Sequence, residues 1–147
     1  MSLTDWLNNH WLIRHVASSS EIRELFAAIE RDLVDCRAPM LSPDWRLTIA
    51  YTAALRAATA ALAAAGYRPD REQQHYRVIQ SLAFTIGANS DLIAELDLFR
   101  KKRNISSYER MGMVSDSESL QMIDLAERIR DLVYAWLGNN YPDLLHW

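Results

Sequence analysis

A chain of 147 residues can bury one self-sufficient hydrophobic core and is too short for two. Half of its residues are apolar and only four are Gly and four Pro, which excludes disordered, collagen-like and turn-dense β architectures. A net charge of −3 excludes a protein that coats DNA through a global positive field, and a single cysteine, Cys36, excludes a disulfide framework or a Cys-rich zinc site.

In chain order, residues 1–17 form a lead segment in which Trp6, Leu7, Trp11 and Leu12 fall at helical spacing, predicting a short helix laid on the rest. The segment lacks the basic start, apolar middle and small-residue cleavage site of a secretory signal. Ser18 offers a cap, with a Ser-x-x-Glu box to Glu21. Ile22, Leu25, Phe26, Ile29, Leu33 and Cys36 then share one helical face up to Pro39. Ser42-Pro43 starts a second long helix, Ala-rich over 45–65 and closed by Gly66. Alanine on every side of a helix implies close neighbours all round, so this one sits centrally. Arg56 interrupts it, and no run reaches the roughly eighteen consecutive apolar residues of a membrane span. Asp70 caps a third helix running to Gly87, and Ser90 caps a fourth that begins at Asp91. Ser115 and Glu118 form a capping box for a fifth, with Met122, Leu125, Ile129, Leu132 and Trp136 as its apolar stripe before Gly138. No strand-like alternation appears.

The expectation is an all-α, up-and-down helical bundle of four to five main helices plus a short N-terminal helix. It is one domain over 1–147, with its core in 18–138 and an aromatic tail, 139–147, able to dock on a partner or a second copy. The expected location is the cytoplasm, with no membrane partner.

Two positions break the helical pattern. On the fourth helix Leu92, Leu96 and Phe99 form a stripe whose next member is Arg103, which at about 100° per residue points almost where Leu92 points. Arg100, Lys101 and Lys102 fan out to the sides and back. On the third helix His75 aligns with Ile79, Leu82 and Ile86. An antiparallel hairpin turning around residues 88 and 89 sets His75 level with Arg103, across helix axes about 8–10 Å apart. An imidazole and a guanidinium so placed suit a phosphate: arginine is a bidentate donor, and histidine moves a proton near neutral pH. Bland readings stay open beside this one. First-turn histidines often only pack, a terminal arginine serves the helix dipole, and the basic run is an ordinary solvated face with Lys101 paired to Asp97.

The run Arg103-Asn104-Ile105-Ser106-Ser107-Tyr108 after FRKK, preceded by YTAALRAATAALAAAGYRP and HYRVIQSL and followed by a long closing helix, resembles the signature of HEPN domains over about residues 20 to 138. The resemblance implies an all-α bundle, commonly a homodimer. Many such domains are metal-independent endoribonucleases with an RNxxxH motif, and many act beside a minimal nucleotidyltransferase in toxin–antitoxin systems. It further implies that Arg103 binds the scissile phosphate or stabilises its developing charge and that Asn104 orients the loop or a partner side chain. The place of the family histidine holds Tyr108, and an unperturbed phenol is a poor base at neutral pH.

The function expected is therefore RNA or nucleotide phosphate binding beside a nucleotidyltransferase partner, without standard ribonuclease chemistry. Arg103, Asn104, Lys101 and Lys102 would take the phosphates, and Tyr76 or Tyr108 would stack a base. Two alternatives remain: a true ribonuclease in which Arg103 works with a displaced His75, and a bundle that binds only protein. No cofactor and no metal are expected. There is no His-Glu-x-x-His, glycine-rich phosphate loop or nucleophile elbow, and carboxylates such as Glu95, Asp97, Asp124 and Glu127 lack the Glu-x-x-His pairs of a di-iron bundle. Cys36, on an apolar stripe, is expected to be a buried small residue.

Overall fold

The computed structural model describes the backbone of residues 1–108 and 114–147 and the side chains of 1–104 and 114–147. Six α-helices account for most of the described residues: α1 (Leu3–Asn8), α2 (Ser19–Asp35), α3 (Pro43–Ala64), α4 (Gln74–Ser81), α5 (Ser90–Tyr108) and α6 (Asp116–Asn140). The fold is an all-α bundle. A two-stranded antiparallel ribbon, β1 (Leu12–Arg14) with β2 (Tyr67–Pro69), and a terminal 3₁₀ turn (Pro142–Leu145) complete it.

Helix starts follow local chemistry. Ser42 caps α3 with Pro43 in the first turn, and Ser115 and Glu118 exchange both bonds of a capping box on α6. Ser18 caps α2 by accepting from the Glu21 amide, but the Glu21 carboxylate turns to His15 Nε2 at 2.8 Å instead of closing the expected box. Asn89, not Ser90, caps α5, its Oδ1 accepting from the Leu92 amide at 2.9 Å.

The core is organised around α3, whose Ala50, Ala53, Ala54, Ala57, Ala58, Ala60 and Ala61 are all buried. Methyl-sized side chains let α2, α4, α5 and α6 approach it on every side. By length and composition α3 could cross a membrane, yet 67% of that apolar window is buried within the fold. Its neighbours supply Ile22, Ile29, Leu33, Leu96, Met122, Ile129 and Val133 to the same core. Arg56 of α3 pairs with the buried Asp32 of α2, so the charge that interrupts the apolar run is matched across the interface.

Three expectations are corrected. The lead segment is not helix alone: after α1 the chain extends as β1, and Leu12, Ile13 and Arg14 pair with Pro69, Arg68 and Tyr67. Gly66, at φ +103°, turns the chain from α3 into that ribbon, and its carbonyl accepts from the His15 amide at 2.9 Å. The third helix is short. Asp70 is held in the ribbon's extension by its amide bond to the Trp11 carbonyl, its Oδ1 takes the Arg71 amide, and Gln73 adopts φ +53°, so helix begins only at Gln74. At its other end, amide bonds from Leu82 to Ile79 and from Phe84 to Ser81 tighten the chain out of α4 well before Gly87. Finally, α6 runs through Gly138 to Asn140, with Val133 and Leu137 buried where Leu132 was expected. The tail then turns back on its own bundle: Tyr141 meets Trp136 edge-on with ring centroids 5.3 Å apart, and Trp147 stacks on Phe26 at 6.3 Å.

Candidate functional site

The short α4 and the C-terminal half of α5 frame an open cavity of about 690 Å³. α5 contributes Arg100, Arg103 and Asn104, an i, i+3, i+4 set that occupies one face. From the other side come His75 and Tyr76 in the first turn of α4, with Arg71, Gln73 and Gln74 from the segment that leads into it. That helix start has no side-chain cap and no acidic residue in its first turn, so its partial positive charge is left for whatever occupies the cavity.

Behind the lining residues His75 and Arg103 lies Tyr51 of α3, 1% exposed. Its hydroxyl lies 3.4 Å from His75 Nδ1, and the Arg103 guanidinium carbon sits 5.7 Å from its ring centroid. Tyr51 therefore ties together the imidazole and the guanidinium that sequence spacing set level. Burial pushes its phenol up to about 12, a rise that Asp97 aids and the positive charges of Arg103 and Arg100 oppose. Tyr51 thus keeps its proton at neutral pH and can donate to His75 Nδ1, which leaves the proton of the neutral ring on Nε2. Burial, reinforced by Arg103 and Arg100, lowers the His75 pKa below its usual 6.5. The ring is a neutral imidazole at neutral pH, able to donate from one nitrogen or take a proton.

Of the residues singled out from sequence, His75, Tyr76, Arg103 and Asn104 line the cavity. Asn104 Oδ1 accepts from Arg103 Nη1 at 3.5 Å. Lys101 and Lys102 are not brought in. One and two residues past Arg100, they point away from the cleft face; Lys101 lies 3.5 Å from Asp97 and Lys102 pairs with Glu118 at the start of α6. The side chain of Tyr108 falls outside the described residues.

Sequence reasoning missed Arg100, Arg71 and Tyr51. Arg100 was expected in solvent, but its Nε donates to Asp97 Oδ1 at 2.8 Å and its guanidinium carbon lies 5.6 Å from the Tyr76 ring centroid. The Asp97-Arg100 spacing was visible as an i, i+3 pair and would have turned the guanidinium toward α4. Tyr51 carried no such signal, since a tyrosine in an apolar helix reads as core until its hydroxyl is seen beside His75.

A second cavity, about 610 Å³, lies between α2 and α6 beside Trp147, with Phe26 and Tyr134 in its walls. Of its charged residues, Arg130 pairs with both Glu30 and Asp131. Among the described residues no group of three or more His, Cys, Asp or Glu could hold a metal ion. Cys36 is buried, which raises its thiol pKa, and it lies at the end of α2 away from the cleft.

Comparison with protein-family models, curated proteins and solved structures finds no match to this chain.

Proposed function

We propose that this chain is a HEPN-like phosphate-binding module that takes RNA or a nucleotide in the α4–α5 cleft. The observation that carries the reading is the convergence of Arg71, Arg100 and Arg103 with His75 on one open cavity at an uncapped helix start. Guanidinium groups and helix amides are the donors that phosphate oxygens take, and Tyr76 offers a ring for a base. Homodimerisation and a nucleotidyltransferase partner rest on the resemblance of segment order alone. RNA and nucleotides are cytoplasmic ligands, and on this reading the protein is cytoplasmic too.

Binding is favoured over turnover by the inventory of the cleft. Attack of a 2′-hydroxyl on its neighbouring phosphorus asks for a base to take the hydroxyl proton and an acid to protonate the 5′-oxygen that leaves. Among the described cleft residues, His75 alone has an ordinary pKa near neutrality.

The test is fluorescence anisotropy with labelled single-stranded RNA. Arg103→Ala is expected to weaken binding by about 10- to 100-fold, the worth of a charge-assisted hydrogen bond, with the melting temperature unchanged. Equal binding by both forms would overturn the proposal and leave a bundle that binds protein. The same RNA incubated with excess protein in chelator should stay intact; cleavage lost in His75→Ala would instead make the protein a metal-independent ribonuclease.

A further inference from the structure

The phosphate cleft is not isolated. Arg71 and Gln73, which line it, also line an adjoining cavity of about 300 Å³. That second cavity is built by the β1–β2 ribbon, which brings Trp11 beside Asp70 through the Asp70 amide bond to the Trp11 carbonyl at 3.0 Å. Arg77 of α4 lies over the indole, its guanidinium carbon 3.8 Å from the Trp11 ring centroid, 5.6 Å from that of Tyr76 and 5.8 Å from that of Trp6. The carboxylates of Asp70 and Glu72 occupy the same walls, and both residues are exposed.

We propose that this adjoining cavity is a nucleobase subsite that prefers guanine, for the nucleotide whose phosphate lies in the α4–α5 cleft. The inference rests on the phosphate-binding reading and names its ligand more closely. A guanidinium braced on an indole is a rigid, planar stacking platform for a base. Two carboxylates beside that platform accept hydrogen bonds and offer none. Guanine is the base whose Watson–Crick edge presents two adjacent donors, N1–H and the N2 amino group, so it meets acceptors that uracil, with its two carbonyls, does not. The charge division also orients the ligand: Asp70 and Glu72 balance Arg71 and Arg77 in the adjoining cavity, whereas the cleft is lined by three arginines and no acid, so phosphate is drawn to the cleft. Backbone conformation is unusual at this rim as well. Gln73, shared by both cavities, and His10, in the wall of the second, hold positive φ values of 53° and 63°. Such strain in non-glycine residues persists where the surrounding structure imposes it.

The experiment is calorimetric titration of the intact chain with the 5′-monophosphates of guanosine, adenosine, cytidine and uridine, and with guanosine itself. GMP is expected to bind about tenfold more tightly than UMP, the scale of one paired carboxylate-to-base contact, and guanosine without its phosphate is expected to bind far more weakly than GMP. Asp70→Asn combined with Glu72→Gln, both at exposed positions, should bring GMP to the affinity of UMP. If the four nucleotides bind alike while Arg103→Ala weakens each, the guanine subsite is overturned and the phosphate cleft stands. If none of the nucleotides binds, the phosphate cleft fails and the subsite with it.

Discussion

His75 sits where burial and two guanidinium groups all disfavour its charged form. The consequence for stability has a definite sign. Above pH 6.5 the ring is neutral in both the folded and the unfolded chain, and its contribution is complete. As pH falls below 6.5 the unfolded chain takes the proton first, so stability is lost until pH has passed the lower folded value. His75→Gln removes that dependence. Urea unfolding of the two forms over a pH series should show the wild type losing stability more steeply below pH 6.5, and parallel profiles would mean that the ring is solvated. An anion in the cleft acts in the opposite direction by favouring the imidazolium. RNA phosphodiesters have no proton of their own to exchange in this range, so binding by the wild type should tighten as pH falls below 6.5 toward the lowered pKa of His75, and binding by His75→Gln should not. The level pairing of His75 with Arg103 was legible in sequence because each sits in register with an apolar helical stripe. Tyr51 was not, because a tyrosine within an apolar helix looks like any other core residue until a partner is seen above its hydroxyl.

Elements were legible where their signals are local. The caps at Ser18, Ser42 and Ser115, the Pro43 start and the Gly66 stop each lie within a few residues of the feature they specify and hold, whereas α5 takes Asn89 as its cap in place of Ser90. The ribbon has no such signal. Its strands are three residues each and lie more than fifty positions apart, too short to show alternation and paired only through the fold. That pairing shortened α4, and the segment freed by the shortening supplies Arg71 and Gln73 to both cavities. Between α2 and α3 a different device serves a helix end. Arg46 donates to the carbonyls of Cys36 at 3.2 Å, Ala38 at 2.9 Å and Leu41 at 3.1 Å, satisfying acceptors that α2 leaves open. Arg46→Ala should cost about 2 kcal/mol, less than the sum of three charge-assisted bonds because the side chain is partly solvated. Arg46→Lys should recover little of it, since an ammonium lacks the fork that spans three carbonyls. Urea midpoints at unchanged m-value would measure both.

Taken whole, the molecule carries 16 Lys and Arg against 19 Asp and Glu, so its net field repels a polyanion. Much of the positive charge away from the cleft is matched between elements, Arg37 with Glu127, Arg56 with Asp32, Lys102 with Glu118 and Arg130 with Glu30. On the phosphate-binding reading, attraction is expected to centre on Arg71, Arg100 and Arg103, which line one cavity even though Arg100 also pairs with Asp97, and at 0.1 M salt it would reach only about 10 Å from them. Three phosphate contacts imply that log K falls against log salt with a slope of about −2 for a single strand, well short of what a basic nucleic-acid coat gives. Arg103→Ala should reduce that slope by about 0.7, one contact's share. The same site sets how far a ligand can stabilise the fold. At a free RNA concentration of a hundred times Kd, linkage adds about 2.7 kcal/mol, which for a chain of this size raises Tm by roughly 5–10 °C. Thermal unfolding with and without RNA should show that rise at low salt and its decline as salt is added, on the slope that the binding curves give. A rise that salt leaves untouched would locate binding elsewhere, and the cavity walled by Phe26, Tyr134 and Trp147 would then be the place to examine, because those aromatic rings offer apolar contact and its Arg130 is already paired with Glu30 and Asp131.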